Sequence, residues 1–242
     1  MGYVVKTRDN VYLDGISLTT YGLAAEMPQP VPIAKPRYTT WTSGESDWSE
    51  PDDSFEDVEY TFVVRCFKSP ANFLNPEFYA ACANAKKLII SRHSGRHYRI
   101  RRLISIKPTA TAHGNDIAYS VTFALAPFAY HNSNDPHTMD GQHVYLQNTG
   151  TRYSRPIYTV NHSLLGETIL SVNGVELTIS KDAANPIIID CERMIAYSDG
   201  GHNETKFTRG QFPFLASGDN LISAYMGTTY FTVVVQGNWR DY

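Results

Sequence analysis

Cysteine is scarce in this 242-residue chain, and its three copies lack pattern. Cys66, Cys82 and Cys191 show no C-x-x-C spacing. An odd count without close pairs argues against a disulfide framework. Buried free thiols in a reducing compartment are the expectation. Charge of one sign is also lacking: 21 Lys and Arg against 24 Asp and Glu give a net charge of −3, with no overall pull toward nucleic acid or an anionic membrane. No stretch approaches the roughly 18 apolar residues of a membrane span. Met1 to Asn10 carries Lys6, Arg8 and Asp9 where a signal peptide would have an apolar run. A protein made in a cytoplasm, soluble, and leaving by lysis or within a particle is expected.

Catalytic patterns are missing as well. There is no H-E-x-x-H, no C2H2 pattern, no G-x-S-x-G elbow, no Walker A loop and no G-x-G-x-x-G. His93 and His97 are four apart, but Ser94-Gly95 between them reads as a turn, which argues against a shared metal. Asp190 and Glu192 would share one strand face and could imitate the carboxylate pair of a glycoside hydrolase, although solvation of a strand end is the simpler reading. Asn161-His162-Ser163 and Asn203-Glu204-Thr205 fit glycosylation sequons without a secretion signal to support them. No enzymatic activity, no cofactor and no metal are expected.

What the chain has is aromatics and strands. Tyr60, Phe62, Val64 and Cys66 alternate with Thr61, Val63, Arg65 and Phe67, and Tyr119 to Ala126 alternates likewise, ending near Leu125. Between them, Tyr98, Ile100, Ile104 and Ile106 share one face and Arg99, Arg101 and Lys107 the other, with Leu103 and Arg102 out of phase. One helix is expected over 76–88. Asn75 would be its N-cap and Pro76 its first residue, Phe78, Ala81, Cys82 and Ala85 follow at helical spacing, and Lys86-Lys87 would lie in the last turn. Prolines between Pro28 and Pro36 interrupt pairing, and the acidic, tryptophan-bearing stretch over about 37–57 reads as a long projecting loop or extended hairpin. The turn formers of residues 130 to 143 mark a junction, giving an N-terminal domain of 1–132 and a C-terminal domain of 133–242. In the second, Asn173-Gly174 is a hairpin turn, Pro186 opens a buried Ile187-Ile188-Ile189 strand, and Tyr230 to Val235 is a closing strand. Short strands at this spacing suggest a sandwich. The fold class is therefore mainly β with one helix.

Arg92, Arg96, Arg99, Arg101, Arg102 and Lys107 form the one basic cluster, and residues 45 to 57 the acidic one. Opposite patches on one chain suit head-to-tail assembly, where one patch meets the other on a neighbour until a ring closes. An oligomer interface at Trp41, Trp48, Phe55, Arg99 and Arg101 is the expectation.

The second half has a distinctive order. Asn148-Thr149-Gly150 is followed by Pro156-Ile157-Tyr158, the Asn173-Gly174 hairpin, Ile189-Asp190, Tyr197, and then Gly210-Gln211-Phe212-Pro213-Phe214-Leu215 with Gly218-Asp219-Asn220. This order resembles the C-terminal domain of siphophage distal tail proteins, with Gly210 to Asn220 the most specific element. The helix, the strand carrying His97-Tyr98-Arg99, and Val121-Thr122-Phe123 leading to Pro127-Phe128-Ala129-Tyr130 follow the same family's order in the first half. The family's long loop often carries a Gly-rich element, whereas residues 37 to 55 hold only Gly44.

The resemblance implies an N-terminal ring-forming β domain and a C-terminal galectin-like β-sandwich. It implies a structural hub in the virion tail tip, a homo-oligomer of hexameric form. Its partners would be the tail tube protein, the tail-tip protein and a receptor-binding protein, with no membrane and no specific nucleic acid. Two rivals remain at this level. One is a carbohydrate-binding module of the host wall, stacking sugars on Trp41, Trp48 or Trp239. The other is a wall hydrolase using Asp190 and Glu192.

Overall fold

The computed structural model describes residues 10–26, 31–43, 46–66, 76–93, 95–109, 118–140 and 143–242, with side chains described for all of these except 39–43, 46–53 and 66. The Asn75 cap, Ser94, Gly44 and the side chains of Trp41, Trp48 and Cys66 lie outside the described residues. The chain divides into two compact units, residues 1–132 with Tyr242, and residues 133–241. Each has its own apolar core.

The first unit carries β1 (Val11–Leu13), β2 (Ile16–Ser17), β3 (Leu23–Ala25), β4 (Lys35–Ser43), β5 (Ser46–Glu56), β6 (Val58–Cys66), helix α1 (Pro76–Asn84), β7 (Lys87–Ile90), β8 (Arg96–Thr109) and β9 (Ala118–His131). Seven strands pair in the order β2-β1-β7-β8-β9-β6-β3, while β4 and β5 pair with each other. The alternation read from Tyr60 to Val64 is the observed one: Tyr60, Phe62 and Val64 are buried, and Thr61 on the opposite face shares a hydroxyl hydrogen bond with Thr122 at 2.8 Å. Phe78 and Cys82 of α1 sit in the same core as Leu88, Tyr98, Val121 and Phe123.

Three expectations in this unit are corrected. The helix ends at Asn84, not near Leu88, and Lys87-Leu88 belong to β7. The Asp14 carboxylate sets that boundary. It accepts the backbone N–H of Lys87 at 2.7 Å and that of Lys86 at 3.0 Å, drawing both out of the helix and toward the β1-β2 turn. Next, β8 does not keep its inward set through Ile104. Its register with β9 shifts between Ile100 and Arg102 and again between Leu103 and Ser105. Each shift places an extra residue on β8, so Arg101 and Arg102 both face solvent, Leu103 turns toward the core and Ile104 is exposed. Finally, β9 does not stop at Leu125. It runs to His131 and absorbs Pro127 in an irregular stretch where Tyr98 opposes Ala129 and Ile100 opposes Leu125. Proline has no N–H to give a ladder, and a bulge is where a strand tolerates one. Of the two readings of the 37–57 stretch, the extended hairpin is the observed one, with β4 and β5 pairing from Lys35↔Glu56 to Ser43↔Ser46.

The second unit contains β10 (His137–Met139), β11 (Val144–Asn148), β12 (Ile157–Val160), β13 (Thr168–Val172), β14 (Val175–Ile179), β15 (Ile187–Asp190), β16 (Ile195–Ser198), β17 (Thr208–Gly210), β18 (Gly218–Met226), β19 (Thr229–Tyr230) and β20 (Val233–Gln236). They form a five-stranded sheet, β10-β20-β12-β15-β16, and a six-stranded sheet, β11-β18-β13-β14-β17 with β19 beside β18. Tyr158, Val160, Ile187, Ile189, Val233 and Val235 of the first sheet share one core with Leu146, Leu170, Leu177, Ile222 and Ala224 of the second. The unit is thus a β-sandwich. Asn173 (φ 51°) and Gly174 (φ 83°) close the β13-β14 hairpin with both central residues left-handed, as the sequence requires. The closing strand is shorter than Tyr230 to Val235: Thr229–Tyr230 pairs with β18, and Val233–Gln236 pairs in the other sheet. The fold class is as expected: mainly β, one α-helix among the described residues, and a galectin-like β-sandwich in the second half.

Candidate interaction surfaces

On β8, inward Tyr98 is flanked by outward His97 and Arg99, and both outward residues meet Tyr130 of β9. The Arg99 guanidinium lies 3.8 Å from the centre of the Tyr130 ring, and the His97 ring stacks on the same residue at 5.8 Å. Arg99 is thus held over an aromatic face rather than left to wander. His97 Nδ1 is 3.0 Å from Asn132 Oδ1. Burial lowers the His97 pKa, the Asn132 hydrogen bond raises it, and the Lys87 and Arg99 charges lower it further, so the ring is neutral at neutral pH. His93 does not join it. Its Nδ1 lies 2.9 Å from the Tyr98 hydroxyl, so the two histidines have separate partners. Among the described residues no group of His, Cys, Asp and Glu could hold a metal ion.

Arg101, the extra residue at one bulge, places Nε 3.8 Å from Asp57 Oδ1, with both side chains half exposed. The basic strand and the base of the acidic hairpin therefore meet within one chain. Trp41 and Trp48 occupy directly opposed positions in the β4-β5 ladder. Phe55 is half-buried at the foot of that hairpin, packing edge-on against Phe128 at 4.9 Å and tilted against Tyr242 at 5.8 Å. Of the five residues proposed from sequence, Phe55, Arg99 and Arg101 thus have partners in their own chain.

The Gly210–Asn220 segment is an internal support. Asn220 is fully buried; its Oδ1 accepts from the Ala216 N–H at 2.7 Å and from Asn173 Nδ2 at 2.8 Å, and its Nδ2 donates to the carbonyls of Gly218 at 2.8 Å and Ala216 at 2.9 Å. Asn148 does similar work: Oδ1 accepts from Gly150 N–H at 2.9 Å, and Nδ2 donates to the Arg152 carbonyl at 2.9 Å. Leu215 is buried and exchanges two backbone hydrogen bonds with Ser154, at 2.8 and 3.0 Å. Gly210 (φ 118°) has no substitute, since a β-carbon there would stand 2.5 Å from the Glu176 carbonyl oxygen.

The remaining chemical candidates also resolve into structure. Asp190 and Glu192 do not share a strand face, because β15 ends at Asp190 and the chain turns. Asp190 Oδ1 instead accepts the N–H groups of Glu192 and Arg193, each at 3.0 Å, which makes it a turn cap. Trp239 is buried and has no open ring face to offer a sugar. Cys82 and Cys191 are free and buried; burial pushes the Cys82 thiol up to about 12, and burial followed by the Asp190 charge raises Cys191 as well.

One surface escaped the sequence reading. Tyr145, Tyr225 and Tyr230 lie on the outer face of the six-stranded sheet, with the Tyr225 hydroxyl donating to Glu176 Oε1 at 3.1 Å. Desolvation and the Glu176 carboxylate raise the Tyr225 pKa. The residues of this face, Tyr145, Glu176, Tyr225 and Tyr230, come from four separate strands, so no short motif announces it.

No protein-family model matches the chain, and no curated protein matches it by sequence. Solved structures do match. The Dit protein of phage SPP1, described as a paradigm of the hub adsorption apparatus in phages infecting Gram-positive bacteria, shares 14% sequence identity with a TM-score of 0.68, over 94% of this chain and 97% of that one. The phage P2 baseplate in its calcium-activated conformation gives a TM-score of 0.49 at 10% identity, with the same coverage of each chain. The chain has the fold of a Dit-like baseplate protein.

Proposed function

We propose that this chain is a non-enzymatic structural hub of a phage tail tip. One observation carries the reading: the likeness to the SPP1 Dit protein spans 94% of this chain and 97% of that one, so both units and their order are shared with a protein described as an adsorption hub. In this reading the domain of residues 1–132 builds a ring, hexameric in form, between the tail tube protein and the tip protein. The domain of residues 133–242 faces outward and carries peripheral or receptor-binding components. The finished protein resides in the virion, after synthesis in the host cytoplasm.

Ring contacts are assigned to Trp41, Trp48, Phe55, Arg99 and Arg101. Arg101 supports such a role because its present pair with Asp57 is long and exposed, and an exposed pair of this kind contributes little. Its charge is available for exchange with an acidic hairpin on a neighbouring copy. Arg99 supports it differently, being already ordered over Tyr130 and so costing little entropy to dock.

Light scattering on the full chain tests the reading, alone and mixed with the tail tube protein of the same particle. A sixfold mass, or rings in negative stain, is the expected result. A monomer in both conditions overturns it.

A further inference from the structure

We propose that Leu164 and Leu165 of one copy of this chain seat in a hollow beside β16 of a neighbouring copy. The two leucines top the connection between β12 and β13, where they are 63% and 90% exposed. The loop around them is pinned. Ser163 N–H donates to Thr168 Oγ1 at 3.0 Å, and Ser163 Oγ accepts the Leu165 N–H at 3.0 Å. One residue earlier, the buried His162 ring lies 2.9 Å from the Ala184 carbonyl oxygen, and Asn185 Nδ2 donates to the His162 carbonyl at 3.0 Å. Two adjacent leucines are thus held out in water by an ordered loop. An apolar knob of this kind marks a contact surface, and one already ordered loses little entropy on docking.

The hollow lies in the same unit. Arg193, Ile195, Ala196, Tyr197, Gly201 and Asn203 line about 280 Å³ at β16, the edge strand of the five-stranded sheet. Ala196 belongs to the core, so Ile195 and Tyr197 on either side of it face outward. The walls are preformed. Gly201 N–H donates to the Ser198 carbonyl at 2.8 Å, Ser198 N–H to the His202 carbonyl at 2.9 Å, and Glu204 N–H to the Ala196 carbonyl at 2.8 Å. Met194, next to Arg193 in the chain, is exposed and supplies a pliable apolar side chain at that end.

Size and charge select the occupant. The hollow is at the bottom of the range for small-molecule sites, about 300–1,000 Å³, and suits one or two apolar side chains. Beside it stands Arg193, mostly exposed, with Nε 3.7 Å from Asp190 Oδ2. The leucine loop carries the opposite charge. Glu167, two residues beyond Leu165, is mostly exposed and lies 3.7 Å from Arg209. Ion pairs this long contribute little, so both groups can exchange partners. Leucine then meets the apolar lining while Glu167 meets Arg193. Knob and hollow are different parts of the surface, so the contact is head-to-tail. Two leucines and one ion pair fall far short of the roughly 800 Å² per partner of a stable complex. The contact therefore acts between copies already brought together, and it rests on the ring reading for that setting.

The test mixes two full-length preparations at about 1 mM, where contacts of this weakness are populated. One carries photo-leucine in place of leucine. The other carries ordinary leucine and is labelled throughout with heavy nitrogen. Ultraviolet light inserts the photo-leucine diazirine into whatever it touches, and mass spectrometry reads the products. A link from residues 164–165 of a light chain to residues 193–203 of a heavy chain joins two copies by construction, and this product is expected. Arg193→Glu in the heavy chain lowers its yield about tenfold, because like charges then face each other. Glu167→Arg in the light chain restores it. Both positions are mostly exposed, so the variants keep the wild-type melting temperature. Absence of the mixed product, links from 164–165 to another segment in its place, a yield indifferent to Arg193→Glu, or no rescue by Glu167→Arg would each overturn the proposal. Light scattering on the same mixture separates the two readings: rings without the mixed product leave the hub in place and remove this contact.

Discussion

Asn173 and Asn220, 47 residues apart, join side chain to side chain: Asn173 Nδ2 donates to Asn220 Oδ1 at 2.8 Å, while Asn173 Oδ1 accepts the Leu221 N–H at 2.9 Å. The hairpin turn between β13 and β14 is thereby tied to the start of β18 in the same sheet. Asn220 is fully buried. Replacing it with Ala would leave the Ala216 N–H and the carbonyls of Ala216 and Gly218 without their side-chain partner. A loss of about 3 kcal/mol is expected, since each buried polar group left unpaired costs about 1–3 kcal/mol. Urea unfolding of Asn220→Ala against wild type measures it, and a change below about 1 kcal/mol would show that the network tolerates loss of its centre.

That tie shows why the Gly210–Asn220 segment was readable and why its role was not a binding one. Turn formers have local causes, so Asn173-Gly174 and the Asn148-Thr149-Gly150 turn could be read in place. The alternation of Tyr60, Phe62 and Val64 was equally local. What the sequence hid depends on distant partners. The helix end is set by Asp14, 72 positions before Lys86, and neither residue signals the other. The Asp14-Gly15 turn, with φ values of 49° and 86°, carries the local Asp-Gly hairpin signal, but its link to the helix end is not local. The bulges of β8 and the passage of β9 over Pro127 are negotiated between two strands, and periodicity within one strand cannot show them. The tyrosine face was invisible for the same reason, because only strand register gathers Tyr145, Tyr225 and Tyr230.

Asp14→Ala tests the helix boundary. It removes the acceptor from the N–H groups of Lys86 and Lys87, which are partly open to water. The expected loss is about 1 kcal/mol, in the range of a removed helix cap. Far-ultraviolet circular dichroism should be unchanged. Retention of full stability would mean that the β7 start is held by its ladder alone.

His97 gives a pH prediction. Its folded-state pKa lies below the ordinary histidine value, first because of burial. The unfolded chain therefore takes up a proton before the folded one as pH falls. The contribution of neutral His97 is complete above the unfolded pKa of about 6.5 and is lost as pH drops through the lower folded value. Melting temperatures at pH 7 and pH 5 should differ more in wild type than in His97→Gln. Equal differences in the two proteins would remove the histidine from the account.

Phe55 tests whether the foot of the hairpin is anchored in its own unit. Its ring touches Phe128 and Tyr242, so truncation to Ala opens a gap beside both. Because Phe55 is only half-buried, the loss should fall below the 3–5 kcal/mol of a fully buried phenylalanine, at about 2 kcal/mol. A neutral result would free Phe55 for contact with a neighbouring copy.

Thiol chemistry supplies the last prediction. Cys82 has no exposed surface and a pKa raised to about 12, and Cys191 is 3% exposed with its pKa raised too. A thiol reacts as thiolate, so at pH 8 these two present almost none of the reactive form and no path to it. Titration with Ellman's reagent should therefore modify at most Cys66 in the native protein, and all three cysteines after denaturation in guanidinium. The slow native phase should follow the opening of the cores around Cys82 and Cys191 rather than reagent concentration. A fast native reaction of two or more thiols would mean that one of these cores opens on the timescale of mixing.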